Sequence, residues 1–316
     1  MDDFALLITP AARGAYFAET HKVVQAEVAG LSDVEALGIE VRGGMEFLRL
    51  NCAEDRLQDL LRLSFAQGLF LIAANCWRPV EGSAGFLLHE DFVSGEKYRG
   101  KTNETLTQLL VNLALQEVRS ESETLRLLDP MCGRGTSLFW AMRYGMSATG
   151  VEKDATALNE VRRGLKKWTK VHRQKHKLAE GWVQKANKKG VGKFLDFKAE
   201  GQTVRVVAGD TVEARTLVGR TPYDLIVTDI PYGVQHMGGP DGARSPLAVI
   251  QNAAKGWVDC LAPGGVMAIA YNRNIPKRTE MVAAFEGLGL EVIERDVAHR
   301  MSESIVRDVL LLRKIS

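Results

Sequence analysis

A carboxylate, a rigid turn and an aromatic ring stand together at Asp229-Ile230-Pro231-Tyr232. The apolar run before them, Leu225-Ile226-Val227, is short and β-branched enough for a buried parallel strand, and Pro231 and Gly233 stop it. Asp229 and Tyr232 therefore fall at the carboxyl end of a strand, where open α/β sheets bind ligands. The Asp229 carboxylate and the Ile230 carbonyl can accept hydrogen bonds from an exocyclic amine. Pro231 has no N–H and a fixed φ, so it stiffens the turn and leaves Tyr232 to stack on a flat ring. The group such a set holds is a nucleobase amine. His236, just beyond, reads as an ordinary loop histidine.

A second set lies a hundred residues earlier. Leu125 to Leu128 predicts a strand, Asp129-Pro130-Met131-Cys132-Gly133-Arg134-Gly135-Thr136 a glycine-containing turn, and Ser137 to Tyr144 a helix. Gly133 and Gly135 let the backbone approach a ligand closely, and the N–H groups at the helix start face the same cleft. Neither phosphate fingerprint is present: there is no Gly-Lys-Ser/Thr, and Leu138 occupies the third glycine position of G-x-G-x-x-G. A triphosphate or dinucleotide is disfavoured. The next strand, Ala148 to Val151, ends in Glu152, about 20 residues after the turn, where a carboxylate can take both ribose hydroxyls. Asp154 is expected to cap the helix Ala155 to Trp168. Val204 to Val207 then leads to Asp210, another carboxylate at a strand end, placed to cap the turn from Thr211.

These stretches carry a family resemblance. Asp229-Ile230-Pro231-Tyr232-Gly233 resembles the Asp/Asn-Pro-Pro-Tyr/Phe-Gly motif of S-adenosylmethionine-dependent amino-methyltransferases. The bulky residue at Ile230 is similar to the variant in THUMP-associated RNA guanine-N2 methyltransferases. The turn from Asp129 to Thr136 looks like that family's Asp-Pro-x-Cys-Gly-x-Gly-Thr. Lys97 to Asn103, where Thr102 or Asn103 can cap the following helix, resembles the motif bordering the cofactor's methionine end. The resemblance runs from Tyr98 to the C-terminus and implies S-adenosylmethionine as cofactor, with no phosphate to bind. It places Thr102, Asp129, Cys132, Gly133, Gly135, Thr136, Glu152 and Asp210 around that cofactor, with Asp210 accepting from the adenine amine. It makes Asp229, Ile230, Pro231 and Tyr232 the catalytic set and guanine N2 in tRNA the target. A DNA methyltransferase acting on adenine N6 or cytosine N4 shares the chemistry, and a non-catalytic RNA-binding protein on the same fold is a third reading. Cys132 reads as a small packing residue.

The elements that position these groups follow from periodicity. Residues 1–95 read in the order β-α-β-β-α-β: strands at Phe4–Ile8, Ile39–Val41, Met45–Leu50 and Leu69–Ala73, with helices His21–Leu31 and Glu54–Phe65. That order is ferredoxin-like, and it resembles the leading domain of the same family, although no room remains for a complete THUMP domain. Trp77 to Gly95 reads as a linker. Residues 96–316 read as a class I, Rossmann-like α/β methyltransferase sheet with a basic insertion at about 165–200. Beyond the catalytic loop come a helix Pro246–Leu261, a turn Leu261–Gly265, a strand Val266–Tyr271 and a helix Met281–Leu288. Glu291–Val297 and Ile305–Leu312 then form an antiparallel C-terminal hairpin, since too few residues join them for a crossover.

Composition sets the outer bounds. With 316 residues, 46% hydrophobic and 25% charged, the chain is globular and long enough for two domains. Its net charge of +2 is unevenly spread. Arg162 to Lys198 holds 13 lysines and arginines against Glu180 and Asp196, a charge of +11, so the rest carries −9. Trp168, Trp182 and Phe194 are interleaved there, which suits a surface that neutralises phosphates and stacks on bases. Lys166, Lys167, Trp168, Lys170, Arg173, Lys185, Lys188, Lys189 and Lys193 are the expected RNA contacts; the alternative is a solvated helix and loop. Four scattered cysteines, an acidic amino terminus and the lack of a long apolar stretch fit a soluble cytoplasmic protein without disulfides. No metal is expected: His172 and His176 are ringed by cations, and His21 and His89 read as surface or packing residues.

Overall fold

The computed structural model describes residues 2–74, 76–98, 100–185, 188–231 and 245–315, with the side chains of 184–189 outside the description. The chain opens with β1 (Asp2–Ile8), α1 (Pro10–Tyr16), α2 (Thr20–Val28), β2 (Val34–Arg42) and β3 (Met45–Cys52). It continues with α3 (Leu57–Leu61), β4 (Ala66–Ala73) and β5 (Cys76–Pro79). These five strands form one antiparallel sheet in the order β2-β3-β1-β4-β5. The first four are arranged as the β-α-β-β-α-β reading requires. Two differences stand out. The second helix is only five residues long behind a 3-10 turn, and Leu63 and Phe65 are buried in the turn that leads from it into β4. The expected linker also begins with β5, which Trp77 ties to the sheet by packing edge-on to Phe47 at 4.9 Å.

The rest runs α4 (Asp91–Ser94), α5 (Glu104–Glu117), β6 (Arg126–Asp129), α6 (Thr136–Arg143), β7 (Ser147–Glu152) and α7 (Thr156–Val171). Then come β8 (Lys177–Lys185), β9 (Lys188–Ala199), β10 (Gln202–Ala208), α8 (Ala214–Val218), β11 (Tyr223–Asp229) and α9 (Pro246–Cys260). The chain ends with β12 (Leu261–Asn272), α10 (Arg278–Ala283), β13 (Leu290–Ile293), β14 (His299–Arg300) and β15 (Val306–Lys314). The second sheet has the order β13-β15-β12-β11-β6-β7-β10-β9-β8, with β14 pairing β15. Its centre is parallel, from β12 through β11, β6 and β7 to β10. β15 inserts antiparallel between β12 and β13. This is the class I methyltransferase sheet. Two adjacent strands of that centre, β6 and β11, carry Asp129 and Asp229 at their carboxyl ends.

The basic insertion is ordered secondary structure. It comprises the C-terminal part of α7 and the β8–β9 hairpin, which extends the sheet beyond β10. α7 is strongly amphipathic: Leu158, Val161 and Leu165 face the core while Lys166 and Lys170 face solvent. The turn expected at Leu261–Gly265 is already strand, pairing through Leu261 with Tyr223. The helix expected to reach Leu288 ends at Ala283, short of Gly287 and Gly289, both with positive φ. Among the described residues no helix is long and apolar enough to cross a membrane.

The two sheets share one hydrophobic cluster. Residues of the first sheet and its helices, such as Leu6, Val24 and Leu60, join it with Leu106, Leu110 and Leu113 of α5 and with Leu127 and Val266 of the second sheet. At the seam, Glu27 of α2 is fully buried. Its carboxylate accepts from the Ser64 N–H at 2.9 Å, the Ser64 hydroxyl at 2.6 Å and the Asn112 amide of α5 at 2.6 Å. Asn112 and the Tyr144 hydroxyl both donate to the Arg62 carbonyl, at 2.9 and 3.0 Å. Burying a polar group costs little when its partners are complete and much when one is removed. Glu27→Ala strands three donors, so it should lower the unfolding free energy by about 2–4 kcal/mol in urea melts. Glu46→Ala, a partly exposed acid paired with Arg13, should change it by less than about 1 kcal/mol.

Candidate functional site

The glycine turn is built onto the end of β6 by Asp129. One carboxylate oxygen accepts the Met131 N–H at 3.0 Å and the other bonds the Ser137 hydroxyl in the first turn of α6. Asp129 is 5% exposed, and burial pushes its carboxyl up to about 6 against the pull of those two donors. It thus shapes the turn and touches the cleft little itself. Gly133 and Gly135 have φ of 53° and 83°, and Gly135 opens α6 in the left-handed region where a side chain would be strained. The turn also seats on β7. Gly150 has no side chain because a Cβ there would come within 2.4 Å of Cys132 Sγ. Cys132 is the packing residue expected, its thiol pushed up by burial.

Glu152 closes the neighbouring strand end. Its carboxylate accepts the Gly133 N–H and the Asp154 N–H, each at 2.8 Å, so the glycine turn and the end of β7 meet at one edge. Asp154 takes the Thr156 hydroxyl at 2.7 Å and the Thr156 N–H at 2.8 Å at the head of α7, and the hydroxyl first, then the N–H, hold its carboxyl below the usual range. Asp210 caps the turn after β10 through the Val212 N–H at 3.0 Å, and Lys153 stands 3.6 Å from its other oxygen. Before α5, Asn103 is the cap, accepting from the Leu106 N–H at 3.0 Å. The edge thus combines carboxylates, left-handed glycines and helix N–H groups, with Lys153 as an 83%-exposed cation. That donor set fits a ribose diol, an aminated base and a sulfonium, and fits a phosphate chain poorly.

At the end of β11 the site has a member that sequence reading missed. Arg307 of β15, 5% exposed, places Nη1 3.4 Å from Asp229 Oδ2. Burial pushes the Asp229 carboxyl up, and Arg307 and then the Thr102 hydroxyl pull it back down. The other oxygen, Oδ1, is buried and has no hydrogen-bond partner among the described residues. Ile230 continues the strand, its N–H bonded to the Ala270 carbonyl at 2.9 Å, and its side chain is buried in the cluster beneath α9. Packing therefore accounts for a bulky residue at this position. Pro231 is exposed at the turn; Tyr232 and His236 lie outside the described residues.

The expected RNA contacts divide. Lys166, Lys170 and Arg173 are exposed, and Trp182 presents 61% of its surface to solvent. Lys167 pairs with Glu96 at 2.8 Å, and Lys193 with Glu180 at 3.2 Å. Trp168 is half-buried against the core, and Phe194 lies under the Arg205 guanidinium at 4.3 Å. The side chains of Lys185, Lys188 and Lys189 lie outside the description.

Because Asp129 titrates near 6 when folded and near 3.8 when unfolded, folding is most favoured with its proton on. That contribution is present below about pH 4 and lost as pH rises to about 6, amounting to about 3 kcal/mol. Urea melts of the parent and Asp129→Asn should therefore diverge by about this amount in relative stability between about pH 4 and about pH 7. Parallel curves would show that Asp129 is not held as described.

Residues 96–243 match the family described as RMKL-like, methyltransferase domain. No curated protein matches the chain by sequence. Among solved structures, TrmN from Thermus thermophilus aligns at 16% identity over 88% of this chain, which spans 59% of that one, with a TM-score of 0.46. A methyltransferase from Pyrococcus furiosus aligns at 14% identity over 72% of this chain and 93% of its own, at 0.42. N-methyltransferase NodS from Bradyrhizobium japonicum WM9 aligns at 12% identity over 67% and 95%, at 0.41. Both strand-end carboxylates lie within the stretch that is similar to RMKL-like methyltransferase domains, and a sheet of this class has S-adenosylmethionine as its cofactor.

Proposed function

We propose that the chain methylates an exocyclic amine of a nucleobase in RNA, with guanine N2 in tRNA as the target. The observation that carries this reading is the Asp229 carboxylate: one oxygen faces Arg307, and the other is buried at the strand end next to β6, with no hydrogen-bond partner among the described residues. A buried acceptor of this kind costs free energy until a donor arrives, and an amine N–H is the donor that its position serves. When bound, S-adenosylmethionine supplies an electrophilic methyl group on sulfur. The protein's part is to align the nitrogen behind that methyl and exclude water. Hydrogen bonds to Asp229 and to the Ile230 carbonyl hold the amine's N–H groups aside and turn its lone pair toward the methyl. Tyr232 stacks on the base, worth about 1–3 kcal/mol. Glu152 takes the ribose hydroxyls and Asp210 the adenine amine. The base must leave its stack to enter, and Lys166, Lys170, Arg173 and the exposed Trp182 track the backbone around it. Residues 1–95 form a domain in fixed register with the catalytic one.

The test is mass spectrometry of nucleosides from unmodified tRNA incubated with the protein and S-adenosylmethionine. N2-methylguanosine is the expected product; methylation of DNA instead would refute the RNA reading. Asp229→Ala should abolish the product while leaving cofactor affinity by calorimetry unchanged, and a collapse of cofactor binding would show that Asp229 faces the donor. Arg307 adds a pH signature. Its charge favours the ionised, accepting form of Asp229, so Arg307→Met should raise that carboxyl further and move the acid limb of kcat/KM to higher pH, with Arg307→Lys intermediate. An unmoved limb in Arg307→Met would remove Arg307 from this role.

A further inference from the structure

His172 and His176 are ringed by cations in the sequence, and the fold stacks His172 on a third histidine, His89. His172 caps the end of α7, and His89 and Asp91 come from the segment that crosses from the first sheet to the second. Asp91 Oδ2 lies 2.9 Å from His172 Nε2 and 3.4 Å from His89 Nδ1. One ligand-type atom from each residue falls within 4.8 Å of the other two. The imidazoles are stacked, with centroids 3.8 Å apart and planes at 18°, so both ring edges meet the same carboxylate.

We propose that His89, Asp91 and His172 bind a divalent transition-metal cation of the zinc class, with water completing the coordination. Two imidazoles and a carboxylate are the ligands such ions take. Metal–ligand bonds of about 2.0–2.2 Å place neighbouring ligand atoms about 3.3–3.6 Å apart around a tetrahedron; the 3.4 Å between His89 and Asp91 already lies in that range, and the 2.9 Å hydrogen bond between His172 and Asp91 has to open by about 0.5 Å to admit the ion. The ligands are also fixed beforehand. The His172 ring is held between His89 and Trp168, whose ring lies 6.0 Å away at 21°. Trp168 in turn packs so closely on the crossing segment that a Cβ on Gly95 would come within 2.2 Å of it. His89 Nδ1 accepts the Asp91 N–H at 3.2 Å, a bond that the cation replaces. The bound ion pins α4 to the end of α7, beside a cavity of about 390 Å³ lined by Phe92, Val93, Tyr98, Thr136 and Trp168. The site does not depend on the methyltransferase reading.

Cobalt(II) reports on it directly. The full-length protein, stripped with a chelator, should take up one Co²⁺ per chain with the intense visible absorption of a four- or five-coordinate ion, and Zn²⁺ should displace it. His89→Ala, at an exposed side chain whose loss leaves the fold intact, and His172→Ala should each weaken uptake by about tenfold or more. His176→Ala, next to the cluster but outside it, should leave it unchanged. Absence of the absorption, or its persistence in both the His89 and His172 variants, would overturn the proposal.

Discussion

A buried carboxylate with both oxygens engaged governs the cofactor edge. Asp129 ties the backbone at Met131 to the first turn of α6, and everything between must then fold as a tight left-handed turn. Only glycine holds those φ values cheaply, and only glycine at position 150 lets the turn lie down on β7. Once it does, the Gly133 N–H faces Glu152 and fixes that carboxylate at the rim. The cost is a carboxyl held out of water and pushed up to about 6.

At the neighbouring strand the same problem is solved with a cation. Asp229 is buried, but β15 returns antiparallel along β12 and delivers Arg307 to it from the far side of the chain's topology. An isolated buried charge is expensive, and a paired one much less so. The pair leaves one oxygen without a hydrogen-bond partner among the described residues, in contrast to Arg205 with Asp196, where two bonds of 2.7 Å use both oxygens.

Local chemistry was legible in the sequence wherever one short stretch carried the whole signal. The glycine turn, the strand ends at Glu152 and Asp229, the caps at Asp154 and Asn103 and the parallel core all rest on residues within a few positions of one another. The antiparallel last strand was legible too, from chain length alone. Arg307 was not, because its partner lies 78 positions earlier in the chain and a lone arginine in a strand carries no local mark. The same holds for His89 and Asp91 with His172, which lie more than 80 positions apart in the chain and come together only through the fold. The basic hairpin was hidden by its charge: lysines alternate poorly with apolar residues in β8, and its stability comes from Leu195 and Phe197 of β9 against the core. Trp168 and Phe194 looked available as stacking rings only because burial cannot be read from composition.

The shared core between the two sheets gives the molecule the property of a gauge. A polymer that touches both the first sheet and the carboxyl edge of the second must span a separation that side chains such as Glu27, Ser64 and Asn112 lock in place. A hinged pair of domains would admit many spacings, each at a small elastic cost. Here a mismatch has to be absorbed by the polymer, because the seam can yield only by stranding buried donors. If the polymer is the RNA proposed above, selection of a target would be a matter of length along its fold as much as of the letters in it.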